Sequence, residues 1–251
     1  MPIVRLGLPV YLPGWLHRPL RGVKRAIFPS EPIRRTIWGE RHVEWSFIST
    51  RMPPGPGDAL DFGCEFGYLS LLAAFKGFRV VAVDLEPQAF PWQDPNVQFM
   101  QGDLLHLDLP ENHFDLIINC SSVEHVGLAG RYGVTQDFGD GDLQVMEQFH
   151  ALLKPNGMLL MTAPCGRDAV FAPWHRVYGP DRLPRLLARY AIETEAFWVK
   201  DSENRWIPCD RQTALDLMPT SDPADPHNSL YSLGCFVLRK LAGAGHNGGG
   251  R

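Results

Sequence analysis

Three aspartates stand at the ends of short apolar runs, at the points where strands of a parallel sheet would end. Asp61 lies in the first run, and Asp84 and Asp103 follow the next two. The carboxyl ends of parallel strands meet at one edge of a sheet, so these side chains are expected to line one pocket. Asp84 suits hydrogen bonds to ribose hydroxyls, although it could instead cap the turn that follows it. Asp103 can accept a hydrogen bond from an adenine amino group. The three acids therefore predict a nucleoside pocket.

A glycine-containing turn separates Asp61 from the next helical pattern. Gly63 and Gly67 allow the backbone to bend sharply and let amide groups approach a ligand. Tight strand-to-helix turns also use glycine for purely structural reasons, so the turn alone is weak evidence. The G-x-G-x-x-G spacing of nicotinamide dehydrogenases is absent, which makes that class a poorer interpretation.

Apolar runs of strand length alternate with helical patterns from residue 57 onward, which predicts an α/β fold. We expect a doubly wound, mostly parallel seven-stranded sheet with an antiparallel C-terminal hairpin. The seven predicted strands are Ala59–Phe62, Val80–Val83, Val97–Met100, Leu116–Ile118, Met158–Thr162, Ala196–Val199 and Gly234–Arg239. The predicted helices are Arg41–Arg51, Tyr68–Lys76, Leu143–Leu153, Arg182–Tyr190 and Arg211–Leu217.

The chain divides into three segments by composition. Residues 1–56 form a basic N-terminal arm with a helix that packs on the core, and a Pro- and Gly-rich break follows it at 53–57. Residues 57–241 hold the strand and helix alternation and form the main domain. Residues 242–251 include five glycines and no core-forming pattern, so we expect this tail to be disordered.

The order of these motifs resembles the class I S-adenosylmethionine-dependent methyltransferases over about residues 57–165. The shared series is an acid with a glycine turn, an acidic ribose ligand, a Gly-Asp pair, a Phe-Asp-Leu-Ile strand, a Glu-His pair and Leu-Lys-Pro-Asn-Gly before the fifth strand. The resemblance implies a Rossmann-like methyltransferase fold and S-adenosyl-L-methionine as cofactor. It implies the following cofactor-binding residues: Asp61, Gly63, Glu65 and Gly67 on the methionine side, Asp84 and Leu85 at the ribose, Asp103 and Leu104 at the adenine, and Asn119.

One position departs from the family pattern. Glu65 stands where the family has the middle glycine of the turn. Its carboxylate could bind the cationic amino group of the cofactor, or it could fill the pocket and exclude the cofactor. A third alternative is a side chain at a helix N-terminus, where negative charge gains roughly 0.3–1 kcal/mol. The sequence leaves these three alternatives open.

Two loops are expected to cover the same sheet edge and to bind the methyl acceptor. His125 and His175 are the candidate bases, since histidine takes up a proton near neutral pH, and Glu124 could orient His125. Either histidine could instead be structural and bonded to the backbone. The candidate substrate-binding residues are Arg131, Tyr132, Arg167, Arg176 and Tyr178. The arginines suit a carboxylate, phosphate or sulfate, although they could simply pair with nearby aspartates.

Charge and cysteine usage narrow the partners and the compartment. Residues 1–51 carry nine Lys or Arg against three Asp or Glu, and the remaining residues carry fifteen against twenty-five. An acidic body argues against nucleic acid as a partner.

Five dispersed cysteines suit a reducing compartment and indicate neither disulfides nor a metal site. No stretch resembles a membrane span or a signal peptide. We expect a cytoplasmic protein without stable membrane insertion, and we allow for a homodimer.

These observations predict an enzyme, a methyltransferase acting on a polar or anionic small molecule such as a sugar or a secondary metabolite. The alternative is a methyltransferase-fold enzyme that performs elimination, hydrolysis or intramolecular ring closure without turning over the cofactor. A fold does not fix a function, and the Glu65 departure keeps this alternative open. A non-enzymatic binding or scaffold protein is a third interpretation, against which the polar loops argue.

Overall fold

The structure is a computed structural model that describes residues 39–130, 132–201, 203, 205–221 and 229–241. The predictions for the arm before residue 39, for Arg131 and for the disordered tail lie outside the described residues. The strands are β1 Gly57–Phe62, β2 Phe78–Asp84, β3 Val97–Gln101, β4 Phe114–Cys120, β5 Leu153–Cys165, β6 Ala169–Phe171, β7 His175–Val177, β8 Tyr190–Lys200, β9 Trp206–Cys209 and β10 Ser232–Lys240. The helices are α1 Arg41–Arg51, α2 Tyr68–Phe75, α3 Gly141–Leu152, α4 Arg182–Leu186 and α5 Arg211–Asp216.

One large sheet organises the described residues, with the strand order β3-β2-β1-β4-β5-β10-β8-β9. Strands β1 to β5 run parallel to their neighbours, while β10 is antiparallel to both β5 and β8. The central strands are apolar along their length because side chains on both of their faces are buried. The predicted doubly wound, mostly parallel α/β fold with an antiparallel C-terminal region is therefore confirmed.

The sheet has eight strands where seven are predicted. The additional strand is β9, which pairs antiparallel with β8 at the edge of the sheet. It is four residues long and contains Pro208. A proline has no N–H for the sheet ladder and is tolerated at an edge, which fits the position of this strand. A separate two-stranded hairpin, β6 with β7, lies in the region predicted as loop.

Two apolar layers cover the faces of the sheet. Helix α3 packs on one face through residues such as Phe149, whose ring meets that of Phe62 edge-on with centroids 5.2 Å apart. Helices α1 and α2 cover the other face, where Ile48 and Ala73 are completely buried. Burying such side chains supplies about 25 cal/mol per Å² of apolar surface removed from water. The sheet edge at the carboxyl ends of β1 to β4 lies between these layers and is where ligands bind in open α/β sheets.

None of the helices within the described ranges is long and apolar enough to cross a bilayer.

Candidate cofactor site

A cavity of about 740 Å³ opens at the carboxyl ends of β1, β2, β3 and β4. The turn after β1, the first residues after each of these strands, helix α1 and the loop at 132–138 form its walls. The predicted site residues that line it are Asp61, Gly63, Glu65, Asp84, Leu85, Asp103, Leu104, His125 and Tyr132. A cavity of this size lies within the range of small-molecule and cofactor sites, roughly 300–1,000 Å³.

Asp61 is the acid at the floor of the cavity. It stands near the end of β1, only 2% of it is exposed, and it accepts a hydrogen bond of 2.5 Å from Ser70 Oγ of helix α2. Burial raises the pKa of Asp61 to about 6, against the effect of the Ser70 hydrogen bond, which lowers it. A buried carboxylate is costly unless it is paired, so this position favours a positively charged ligand group.

The turn after β1 depends on left-handed backbone conformations. Gly63 has φ +67°, and a Cβ there would lie 2.2 Å from Ser122 Oγ, so only glycine fits between the two loops. Glu65 also adopts a left-handed φ, +47°, which is uncommon for a residue with a side chain. Its side chain is exposed at the edge of the cavity. Of the three alternatives for Glu65, a side chain that fills the pocket is therefore not what the structure shows.

Asp84 is oriented by backbone groups at the end of β2. Its Oδ2 accepts from the Glu65 N–H at 3.0 Å, and its Oδ1 accepts from the Glu86 N–H at 3.0 Å. These bonds fix the carboxylate relative to the turn and leave each oxygen with a further lone pair for a ligand hydroxyl. Capping of the following turn and ligand binding are thus compatible roles for this residue.

Asp103 occupies the equivalent position after β3. Its Oδ1 accepts from the Leu105 N–H at 3.0 Å, and its Oδ2 lies 3.0 Å from His106 Nδ1. Leu104 beside it is 1% exposed and lines the cavity. The structure thus brings Asp61, Asp84 and Asp103 to one cavity, with an apolar side chain next to the last of them.

His125 also faces this cavity, at the end of a single 3-10 turn after β4. Its Nδ1 is bonded to the backbone carbonyl of Trp174, so Nδ1 carries a proton and Nε2 is the nitrogen that can accept one. The Tyr132 ring packs edge-on against the imidazole with centroids 5.8 Å apart.

Comparison with known proteins agrees with this geometry. The family DUF268, described as a Caenorhabditis protein of unknown function, matches residues 100–212. A Mycobacterium tuberculosis protein named "Probable S-adenosylmethionine-dependent methyltransferase" is 28% identical over 162 residues, which are 60% of this chain and 53% of that protein. The chain therefore spans about half the length of the curated relatives it matches.

Solved structures share the fold over most of the chain. The Burkholderia thailandensis 1,6-didemethyltoxoflavin-N1-methyltransferase, crystallised with its namesake compound and S-adenosylhomocysteine, superposes with a TM-score of 0.53 at 18% identity and 94% of each chain. The [4+2]-cyclase SpnF superposes with a TM-score of 0.56 at 16% identity, over 85% of this chain and 86% of its own.

This chain has the fold of the class I methyltransferases. The strand order and these similarities agree with the resemblance of the motifs to that family. Within this fold, the acidic cavity occupies the sheet edge at which the motifs predicted it.

Two of the predicted cofactor residues have structural roles in this methyltransferase fold. Gly67 precedes α2 with φ +68°, and a Cβ there would lie 2.8 Å from the rings of Phe90 and Trp92. Asn119 is fully buried, and its Oδ1 accepts from the Val123 N–H at 3.1 Å. Neither residue lines the cavity; Gly67 permits close packing and Asn119 shapes the turn that carries His125, and their assignment as cofactor contacts stays a prediction.

Glu124 lies behind His125 rather than in the cavity. It is 2% exposed, its Oε1 is 3.8 Å from His125 Nε2, and its Oε2 has no hydrogen bond among the described residues. Burial raises the pKa of Glu124 well above its usual range, which disfavours its charged form. At 3.8 Å, its Oε1 is beyond hydrogen-bonding distance of His125 Nε2.

His175 is separated from the cavity. It stands in β7, where its ring packs between those of Phe171 and Tyr231, with centroid distances of 5.7 and 5.6 Å. It is absent from the cavity walls. The β6–β7 hairpin holds its ring among other aromatic side chains, so His125 is better placed as a base and the role of His175 stays a prediction.

Three of the predicted substrate contacts also lie elsewhere. Arg176 is 2% exposed and donates to the carbonyls of Glu124, Val126 and Gly139 at 3.3, 2.6 and 3.3 Å. Tyr178 is completely buried. Neither side chain lines the cavity, and the carbonyl contacts of Arg176 connect the loops beneath it, so a role for either in substrate binding stays a prediction.

Arg167 is a surface residue in this structure, and its Nε donates to the Asp216 carbonyl at 3.4 Å. It does not line the cavity. Tyr132 is thus the predicted substrate contact that reaches the cavity among the described residues, and Arg131 lies outside them.

Helix α1 supplies cavity residues that the sequence did not indicate. Arg41 and Trp45 line the cavity, and the completely buried Glu44 between them accepts from Thr162 Oγ1 at 2.8 Å and from Ser121 Oγ. The helix was predicted, but its amphipathic pattern does not specify which end of the sheet it covers. The sequence offered one indication of this contact, which is the spacing of Arg41 and Glu44 three residues apart. Such oppositely charged pairs usually lie on the exposed face of a helix, so the spacing does not indicate a cavity.

Proposed function

We propose that this chain is an S-adenosylmethionine-dependent methyltransferase acting on a polar or anionic small molecule. The observation that supports this most directly is one cavity whose walls contain Asp61, Asp84 and Asp103. The cofactor carries a sulfonium and an ammonium group beside a nucleoside, which is the chemistry that such a set of acids accommodates. Curated relatives named as methyltransferases support the same activity.

The fit can be stated residue by residue. Gly63 permits the left-handed turn that packs against Ser122 in the cavity wall. Asp84 would hold the ribose hydroxyls, and Asp103 with Leu104 would hold the adenine. Asp61 and the exposed Glu65 would face the cationic amino-acid end. Leu85 lies at the rim and would cover the ribose.

When bound, the cofactor would supply an electrophilic methyl group on a sulfonium. His125 Nε2 would take the proton that an oxygen or nitrogen acceptor loses. The Trp174 carbonyl fixes the tautomer that this requires, and positioning supplies much of the rate.

A small-molecule acceptor fits the shape of the site. The cavity is a concave pocket with polar and apolar walls, and the loop at 132–138 forms one of them. The similar Burkholderia thailandensis enzyme is named for a small-molecule acceptor. Sugars and secondary metabolites of this size suit such a pocket. Nucleic acid is a poorer acceptor, because Asp and Glu dominate the charged residues of the described cavity walls.

The second candidate is a methyltransferase-fold enzyme that performs ring closure, elimination or hydrolysis without consuming the cofactor. The specific observation in its favour is the structural similarity to the [4+2]-cyclase SpnF. The residues of the cavity do not favour it over methyl transfer, since the acids expected to bind the cofactor are all present.

Calorimetric titration with S-adenosylmethionine and S-adenosylhomocysteine tests the proposal. We expect both to bind with one site per chain, and a panel of small acceptors to yield S-adenosylhomocysteine. Absence of heat at millimolar ligand would remove the methyltransferase proposal. Conversion of a compound with no loss of S-adenosylmethionine would favour the second candidate.

A further inference from the structure

The charged residues of the cavity are unequal in sign. Among the described residues that line it, one is Lys or Arg, and this is Arg41 in the first turn of α1. Five lining residues are acidic: Asp61, Glu65, Asp84, Glu86 and Asp103. Among the described wall residues, an anionic group that enters this cavity is repelled by the five acids and attracted to Arg41.

Arg41 is held firmly at that place. Its Nη1 donates to Glu44 Oε2 at 2.6 Å and lies 3.8 Å from Cys120 Sγ at the end of β4. Glu44 is completely buried and is itself fixed by Thr162 and Ser121 from the ends of β5 and β4. The guanidinium is therefore oriented before any ligand arrives, which reduces the entropy lost on binding.

The other two guanidinium nitrogens of Arg41 are available to a ligand. Nε and Nη2 make no hydrogen bond to any of the described residues, and 32% of the side chain is exposed. These two nitrogens form the edge of an arginine that pairs with a carboxylate through two parallel hydrogen bonds. The ion pair with Glu44 uses only Nη1, and a lysine could form the same pair. The ion pair therefore does not explain why this position has an arginine, with Nε and Nη2 as further donors.

We infer that Arg41 is the carboxylate-binding residue of this cavity. The inference rests on the proposed function, whose cofactor has one carboxylate on its amino-acid end and whose acceptor could carry another. The chemistry is the same in both cases: a planar anion accepts from Nε and Nη2 while Glu44 holds Nη1. The acids around the cavity bind the cationic and hydroxyl groups, and Arg41 binds the one group that they repel.

The first arm of the test compares S-adenosylhomocysteine with S-adenosyl-3-thiopropylamine, which lacks only the carboxylate. Wild type should bind the carboxylate-bearing ligand about tenfold or more tightly, the size expected for charge-assisted hydrogen bonds. Arg41→Met should remove the difference by weakening S-adenosylhomocysteine alone. Arg51→Met is the matched control, because Arg51 is exposed in the last turn of the same helix and does not line the cavity.

The second arm asks whether the carboxylate belongs to the acceptor. Protein saturated with S-adenosylhomocysteine is titrated with 4-hydroxybenzoate and with 4-hydroxybenzamide by ligand-observed NMR. Unchanged S-adenosylhomocysteine affinity in Arg41→Met, together with loss of a preference for the benzoate, supports Arg41 as the acceptor's carboxylate contact. If the variant alters neither preference, or weakens the carboxylate and non-carboxylate ligands equally, the inference is overturned.

Arg41→Lys keeps the test decisive if Arg41→Met does not fold. Lysine can still pair with Glu44 but lacks the second edge, so a purely structural role predicts wild-type ligand preference. We expect a wild-type melting temperature and a preference reduced about fivefold or more, since the bidentate geometry is lost. Wild type that binds no S-adenosylhomocysteine refutes the proposed function, whereas binding without dependence on Arg41 refutes this inference alone.

Discussion

At the scale of single residues, the three aspartates were identifiable because their positions follow from strand ends. The sequence places Asp61, Asp84 and Asp103 at the ends of apolar runs. Parallel strands bring such positions to one edge of the sheet, independently of the conformation of the loops. The burial of a loop residue is set by distant packing instead. Arg176 and Arg167 look alike in the sequence, yet one is buried under the His125 turn and the other lies on the surface.

Asp84→Ala should weaken S-adenosylhomocysteine binding by about tenfold or more, because two ribose hydrogen bonds to a charged acceptor are lost. Isothermal calorimetry measures the affinity, and circular dichroism checks that the fold is retained. Asp108→Ala is the control, since Asp108 is an exposed acid outside the cavity walls. Equal affinity of both variants and wild type would contradict the ribose role.

The stability of the protein should depend on pH through Asp61. Its pKa is raised from 3.8 to about 6 by burial, so between these values the folded state binds more protons than the unfolded state. Stability from this group is therefore present at low pH and is lost as pH rises through the window from about 4 to 6. The loss amounts to about 3 kcal/mol at neutral pH on the scale of 1.36 kcal/mol per pKa unit.

Asp61→Asn tests this assignment, because asparagine cannot ionise but can still accept from Ser70. The free energy of unfolding of the variant, relative to wild type, should rise between pH 4 and pH 7 in urea titrations. Contributions from other buried acids cancel in that difference. Parallel pH profiles for the two proteins would show that Asp61 does not titrate as its burial requires.

At the scale of elements, the periodicity of apolar residues predicted seven strands of the main sheet and the five helices, but not all of their bounds. Strands β5 and β8 begin at Leu153 and Tyr190, several residues before the predicted starts, and the helix predicted over Arg182–Tyr190 ends at Leu186. Helix α2 was expected over Tyr68–Lys76 and spans Tyr68–Phe75. The prediction was wrong where a short element depends on its neighbours, as for β9, whose edge position permits Pro208. The β6–β7 hairpin was missed for a similar reason, since strands of three residues carry too little alternation to be recognised.

Arg176→Met should destabilise the protein by about 3–5 kcal/mol, the cost of removing one member of a buried charged network. Three carbonyls on the segments 124–126 and 139 would lose their donor, and buried Asp142, 3.8 Å from the Arg176 Nε, would lose a neighbouring cation. Urea unfolding measures the effect. Arg167→Met, on the surface, should change stability by less than about 0.5 kcal/mol. Similar small effects for both variants would restore Arg176 as a candidate ligand contact.

At the scale of the whole molecule, the sheet edge that holds the cavity was predictable and the cover of the cavity was not. Parallel strands bring their carboxyl ends to one edge of the sheet, and the ends of β1 to β4 line the cavity there. Helix α1 comes before the first strand in the chain, and local pattern does not indicate that its Arg41 and Trp45 reach a cavity built by later segments. Contacts of this kind depend on how the layers pack, which a single sequence does not specify.

The crystal structure of the protein with S-adenosylhomocysteine tests the central claim most directly. The account predicts both ribose hydroxyls within hydrogen-bonding distance of Asp84 and the adenine amino group within reach of Asp103. It also predicts the amino-acid end between Asp61 and the exposed carboxylate of Glu65. An adenosine bound away from these three aspartates, or a Glu65 side chain that must swing into the cavity and block it, would contradict the account.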